Sequence, residues 1–258
     1  MNIVSAEQTI PAPPPSWSSI EVPVGRGQAE NSDPARRFTL SLTPDLEGDP
    51  EPAKITSETP VKLDGPVSNA VSNAAAQAEL AAVAAFLIDT SYRLVPIFTV
   101  ARMIGCFFLA EHAPEELGAV TVSLKGSDGT WAMARVNRNK IAAETTGFGR
   151  AIILHEDSVL GLYVLEIAPG NAIPAHAHKV MRERELILDD GLLQQAQPVR
   201  RGLAFDWPLG HVHAYENPTE RPLRVLCADA PRFLPDDEVA LDDPPPLEPI
   251  APFGDYAA

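Results

Sequence analysis

Two segments decide how this chain is read: Gly170-Asn-Ala-Ile-Pro-Ala-His176-Ala-His178 and Gly202-Leu-Ala-Phe-Asp-Trp-Pro208-Leu-Gly210-His211-Val-His213. They hold four of its six histidines, with Glu183 five residues after His178 and Asn217 four residues after His213. Side chains alternate along an extended strand, so the two imidazoles of a His-x-His pair share one face. Two such strands side by side offer three or four nitrogens and a carboxylate to one point. That donor set suits a divalent transition metal and does not separate iron, manganese, nickel, copper and zinc. His211 is expected on the face of His213, either supporting the ligands from behind or as an alternative ligand. Glu185, two residues beyond Glu183, competes for the acidic position.

The spacing resembles that of the cupin family. The family's first motif runs Gly, five residues, His-x-His, three or four residues, Glu, six residues, Gly. Gly170, His176, His178 and Glu183 fit it, and Gly191 comes one residue late. The second motif runs Gly, five residues, Pro-x-Gly, two residues, His, three residues, Asn. Gly202, Pro208, Gly210, His213 and Asn217 fit it without departure. By this resemblance the metal ligands are His176, His178, Glu183 and His213. Glu183 is preferred to Glu185 because it precedes Leu188 by five residues, as in the family's Glu-x-x-Tyr-Val-Leu run. The resemblance implies a double-stranded β-helix with room for a small-molecule ligand. Two functions follow from it: a metal-dependent oxygenase, isomerase or decarboxylase acting on a small organic acid, or a non-catalytic binding or structural scaffold. No catalytic residue beyond the ligands is named by it.

Alternation places further strands at 150–155, 162–167, 185–188, 194–198, 203–207 and 223–228. His155 falls in a His-Glu-Asp-Ser turn and is expected to face solvent. Tyr215 shares the inward face of His213 and is a candidate to orient a ligand carboxylate. Trp207 either walls the site or packs the core. Arg182 and Arg184 should point away from Glu183.

Upstream, residues 18–24 and 37–42 alternate as a pair of strands. Residues 73–88 are Ala- and Leu-rich and read as a helix capped by Ser72 or Asn73. Residues 93–112 read as a second helix with Pro96 in its first turn. Strands follow at 119–124 and 131–136 around the turn Gly126-Ser-Asp-Gly129. This ββααββ order, with Tyr92-Arg-Leu-Val, Ile97-Phe-Thr-Val-Ala-Arg and Val120-Thr-Val-Ser-Leu-Lys125, is similar to the dihydroneopterin aldolase family, whose tunnelling fold assembles several subunits around a pore. That family anchors a pterin through a glutamate near the start of the second helix. Residues 91–110 contain no Glu or Asp, and Phe98 stands near that position. A pterin N–H buried without its partner costs about 1–3 kcal/mol. Lys125 is a candidate for the family's catalytic lysine, although a single lysine after a strand reads first as a solvated surface residue; the lost anchor implies a degenerate domain kept for homo-oligomeric assembly.

The expected organisation is α+β followed by all-β: a Pro-rich tail at 1–16, an aldolase-like domain at 17–140, a polar link at 139–148, a cupin barrel at 146–234 and an acidic Pro-rich tail at 235–258. The 44–70 connection is expected to be irregular. The last tail carries seven acidic residues and no Lys or Arg, which reads as a solvated segment. A net charge of −15 over 258 residues argues against nucleic acid or an anionic membrane as partner. Two distant cysteines imply no disulfide framework and fit a reducing cytoplasm, with Cys106 as a small buried hydrophobe. The N-terminus lacks a signal-peptide pattern, and no apolar run is long enough for a membrane span.

Overall fold

A computed structural model of the chain describes residues 18–23, 37–45, 74–91, 94–241 and 246–257. The Pro-rich start, most of the 44–70 connection, the proposed caps Ser72 and Asn73, and Tyr92-Arg93 lie outside the described residues.

Strands β1 (Ser18–Pro23), β2 (Arg37–Asp45), β3 (Ala119–Gly126) and β4 (Trp131–Asn137) form an antiparallel sheet in that order. Helices α1 (Ala74–Ser91) and α2 (Ile97–Glu111) fall between β2 and β3 in sequence. Strand alternation sends Phe38, Leu40, Leu42, Val120, Val122, Leu124, Ala132 and Ala134 into the core, while Trp131 and Met133 stay exposed. α1 runs three residues past Ile88, where Thr90 Oγ1 donates to the Phe86 carbonyl at 2.7 Å. α2 starts later than expected. Pro96 is its N-cap rather than part of its first turn, and its carbonyl accepts from the amides of Thr99 and Val100. Proline has no amide to leave unsatisfied there, and it disfavours helical backbone in the residue before it. Gly105 lets α2 lie close on the sheet: a Cβ there would come within 2.7 Å of Val122 and Val136 methyls.

The C-terminal half is β-rich. One sheet has the order β16-β12-β9-β14-β7-β6-β5 and comprises β5 (Ala142–Thr145), β6 (Gly149–Glu156), β7 (Gly161–Ile167), β9 (Arg182–Ile187), β12 (Leu203–Trp207), β14 (Leu223–Ala230) and β16 (Gly254–Asp255). The other has the order β11-β10-β13-β8-β15 and comprises β8 (Ala172–His178), β10 (Leu193–Gln194), β11 (Gln197–Pro198), β13 (His213–Glu216) and β15 (Glu238–Ala240). All their pairings are antiparallel. Ile167, Ile173, Ile187, Phe205, Trp207, Tyr215, Val225 and Cys227 pack between the two sheets.

The centre of the larger sheet is buried on both faces. Along β14, Val225 and Cys227 point to the opposing sheet, while Leu226 and Ala228 join a cluster that includes Phe86, Leu87 and Ile104 of the helices. The helices are therefore enclosed between the β1–β4 sheet and the larger sheet of the C-terminal half, and one apolar core runs through both halves. Polar contacts cross the same boundary. Arg224 bonds Asp189, Glu111 and Glu79 at 2.8–3.1 Å, and Arg184 Nη1 donates to the Thr90 carbonyl at 3.0 Å.

Four local expectations change. The polar link contains β5, which extends the larger sheet by pairing with β6. Residues 194–198 form two short strands joined by Gln195 and Ala196, both at positive φ. His155 is buried within β6: Arg102 Nη2 donates to its Nδ1 at 2.5 Å, leaving Nε2–H to donate to Asp157 at 3.1 Å. The acidic tail is not simply solvated. β15 pairs with β8, β16 pairs with β12, and Tyr256 is buried in the main core against Phe86.

Candidate metal centre

His176 and His178 lie on β8 and His213 opens β13, the neighbouring strand, with His213 directly opposite His176. Glu183 comes from β9 in the facing sheet. One donor atom from each of the four residues lies within 4.8 Å of every other. Glu183 Oε2 is 2.8 Å from His213 Nε2 and 3.5 Å from His178 Nε2, and the His176 and His213 ring centroids are 4.1 Å apart. All four residues are buried, His213 at 1% exposure and the others at 5–7%.

The hydrogen bonds on the far side of the rings fit a cation at this point. His176 Nδ1 donates to the Pro174 carbonyl at 2.8 Å, and His213 Nδ1 to the His211 carbonyl at 3.3 Å. A hydrogen held at Nδ1 leaves Nε2 as the donor toward the centre. Electrostatics agree. Burial pushes the His176 imidazole down to about 4, so it is neutral and ligand-ready at neutral pH, with His213 adding to the shift. Burial alone would raise the Glu183 carboxyl, but hydrogen bonds from His178 and His213 hold it well below the usual range. His213 is pulled down by burial and up, on balance, by its bond to Glu183. His213 Nε2 and the Glu183 carboxylate therefore face each other across the centre of the cluster.

Glu185 belongs to a different knot. Its Oε2 accepts from Trp207 Nε1 and from the Tyr215 hydroxyl, and Cys227 Sγ lies 3.6 Å from Oε1. Gln194 Nε2 donates to the Tyr215 hydroxyl at 2.8 Å. Burial and the Glu183 charge push the Glu185 carboxyl up to about 7. Tyr215 therefore orients Glu185 rather than Glu183. Trp207 is buried and stacks on His213 at 4.5 Å, so it packs the core and backs a candidate ligand at once. Arg182 and Arg184 turn outward to Asp206, as alternation requires.

His211 does not join the cluster. The Pro208-Leu-Gly210 turn delays β13 until His213, so the two histidines share no strand; His211 Nε2 donates instead to the Glu248 carbonyl at 3.1 Å. Asn217 is fully buried and works as a loop staple. Its Nδ2 donates to the Ile167 and Arg221 carbonyls, while its Oδ1 accepts from the Thr219 amide and hydroxyl. Gly202 adopts φ +88°, and a Cβ there would lie 2.4 Å from the Ala257 nitrogen. Lys125 is exposed on β3, and Phe98 is 51% exposed on the first turn of α2.

Two acidic residues near the cluster had no signal in the motifs. Asp229 is the cross-strand partner of Glu183; it is buried, its Oδ1 has no hydrogen-bond partner, and burial together with the Glu183 and Glu185 charges raises its carboxyl well above the usual range. Asp237 accepts from the amides of Lys179, Val180 and Met181 at 2.8–3.0 Å, and its Oδ2 lies 3.8 Å from His178 Nδ1.

No family model and no curated protein matches the chain. Among solved structures, it is similar to a sugar phosphate isomerase of the cupin superfamily from Silicibacter pomeroyi, at 16% identity and a TM-score of 0.32, over 36% of this chain and 72% of that one. It is similar to KdgF from a Halomonas species at 16% identity and a TM-score of 0.29, over 33% of this chain and 79% of that one. The polyketide cyclase RemF from Streptomyces resistomycificus gives 21% identity and a TM-score of 0.34, over 41% and 89%. These overlaps are partial, and the strand order and register described above carry the fold.

Proposed function

We propose that the C-terminal half is a cupin that binds one divalent transition metal ion through His176, His178, Glu183 and His213. The convergence of four buried donors from two facing sheets carries this reading. A metal held there would supply Lewis acidity or oxygen activation for the oxygenation, isomerisation or decarboxylation of a small organic acid. The chain's own part is to keep His176 neutral, fix the imidazoles through the Pro174 and His211 carbonyls, and exclude water with Trp207 stacked on His213. The test is the metal content of the protein purified without added metal, beside His176→Ala and Glu183→Gln. We expect about one ion per chain in the wild type and a loss of at least tenfold in each variant. A metal-free wild type that also fails to take up iron, manganese, zinc or nickel refutes the reading. Oxygen uptake and turnover over a panel of small acids test the catalytic part.

A second reading, a non-catalytic scaffold, is favoured by the near-complete burial of the four donors and by their origin in both sheets. On that reading the ion ties the sheets together. Chelation then lowers the melting temperature of a protein with no turnover.

The N-terminal half is proposed as a degenerate aldolase-like tunnelling fold that promotes homo-oligomerisation. The ββααββ order and consecutive antiparallel sheet support this. The absence of Asp and Glu from 91–110 argues against pterin cleavage. Light scattering of the full chain tests assembly, and aldol cleavage of dihydroneopterin by the pure protein would overturn the view of its chemistry. Two buried free thiols fit the cytoplasm, and among the described residues no helix is long and apolar enough to cross a membrane.

A further inference from the structure

The three imidazoles of the cluster are not held alike. His176 and His213 each have Nδ1 on a backbone carbonyl, whereas His178 Nδ1 is buried and has no hydrogen-bond partner. The group facing it is the Asp237 carboxylate, at 3.8 Å. Asp237 is itself firmly placed: the amides of Lys179, Val180 and Met181 bind its two oxygens, so the carboxylate cannot turn away without freeing three donors. It immediately precedes β15, whose register sets Glu238 opposite His178 and Ala240 opposite His176. One short strand therefore spans the His-x-His pair from outside, while the residue just before it faces the one Nδ1 of the three that has no hydrogen-bond partner among the described residues.

We propose that Asp237 is a positioning residue for the metal centre: its carboxylate favours the Nδ1–H form of His178 and so presents Nε2 to the ion. This inference rests on the metal-binding reading above. A negative carboxylate near Nδ1–H stabilises that tautomer and raises the basicity of the opposite nitrogen. When Nε2 takes up a cation, Nδ1–H becomes a better donor, and the Asp237 contact tightens. Coupling is reciprocal: the ion should secure the β15 segment, and the segment should strengthen binding of the ion.

The test uses the full-length chain, stripped with chelator and titrated with cobalt(II), whose visible absorption reports ligand geometry. Wild type and Asp237→Asn are compared. We expect the variant to bind cobalt about 10–100-fold more weakly, with a shifted absorption band. Equal affinity and an identical band in the two proteins overturn the inference while leaving the metal site intact. No binding by the wild type instead refutes the metal-binding reading beneath it. Should the variant not fold, hydrogen exchange on the wild type decides. Cobalt is expected to slow the amides of 179–181 and 238–241 by more than tenfold relative to those of β3 and β4. Equal slowing throughout overturns the proposal.

Discussion

Arg224→Ala is expected to destabilise both halves of the protein together. The guanidinium is 19% exposed and lies within 2.8–3.0 Å of Glu79, Glu111 and Asp189, whose side chains are 9–14% exposed. Burial acts against its charge, but the bond to Asp189 and the Glu79 charge outweigh that and hold its pKa well above the usual guanidinium range. Truncation leaves three carboxylates in a poorly solvated seam between α1, α2 and the barrel. Breaking a buried ion pair from one side costs about 3–5 kcal/mol, a large share of the ~5–15 kcal/mol that holds a typical protein folded. Arg221→Ala is the control. Its side chain is 56% exposed and reaches Asp189 only at 3.7 Å, so its loss should cost less than about 1 kcal/mol. The assay is urea unfolding followed by fluorescence, with Trp131 reporting the N-terminal sheet and Trp207 the barrel. Single-tryptophan variants separate the two signals. The continuous core predicts coincident wild-type transitions, and Arg224→Ala should move both midpoints down. The reasoning is refuted if Arg224→Ala costs no more than Arg221→Ala, or if only one probe responds.

His112 is held down to about 4 by burial and by Arg224, so its ring proton signal in NMR should titrate near 4 rather than 6.5. Its neutral form favours the folded state fully above the unfolded pKa of about 6.5, and that contribution shrinks as pH falls toward 4. His112→Gln should therefore flatten the stability profile between those pH values by up to about 1.4 kcal/mol per pH unit. Tyr256→Ala removes a ring that is 1% exposed and a hydroxyl bonded to Asp89 at 3.1 Å; the expected cost is about 3–5 kcal/mol, read by thermal unfolding. Tyr215→Phe takes one donor from Glu185 and should cost about 1–3 kcal/mol by urea titration, without altering the melting temperature gained on metal addition by more than a degree or two.

The strands and the His/Glu cluster are legible in the sequence because both depend on short-range spacing. Alternation along β8 and β9 puts His176, His178, Glu183 and Glu185 inward whatever surrounds them, and glycines such as Gly202 mark turns that need positive φ. Motif spacing prefers Glu183, but what occupies Glu185 is a tertiary matter: Trp207 and Tyr215 bond it from 22 and 30 residues away. His211 was misplaced because period-2 counting ignores the turn at Pro208–Gly210. Asp237 was hidden by composition: an acidic, proline-rich run reads as solvated, yet this residue meets its amide partners across 56–58 positions. The Arg224 seam joins residues 35–145 positions apart and leaves no local pattern. β5 was missed because all four of its residues are exposed, so no apolar alternation announces it.

The enclosure of Phe86 has a consequence for how the chain is made. One side of its ring is covered by Phe253 and Tyr256, and the Tyr256 hydroxyl reaches Asp89 across 167 positions. A ribosome translates the α1 segment long before it reaches those covering rings, so this face of Phe86 has no cover until residues 253–256 have been made.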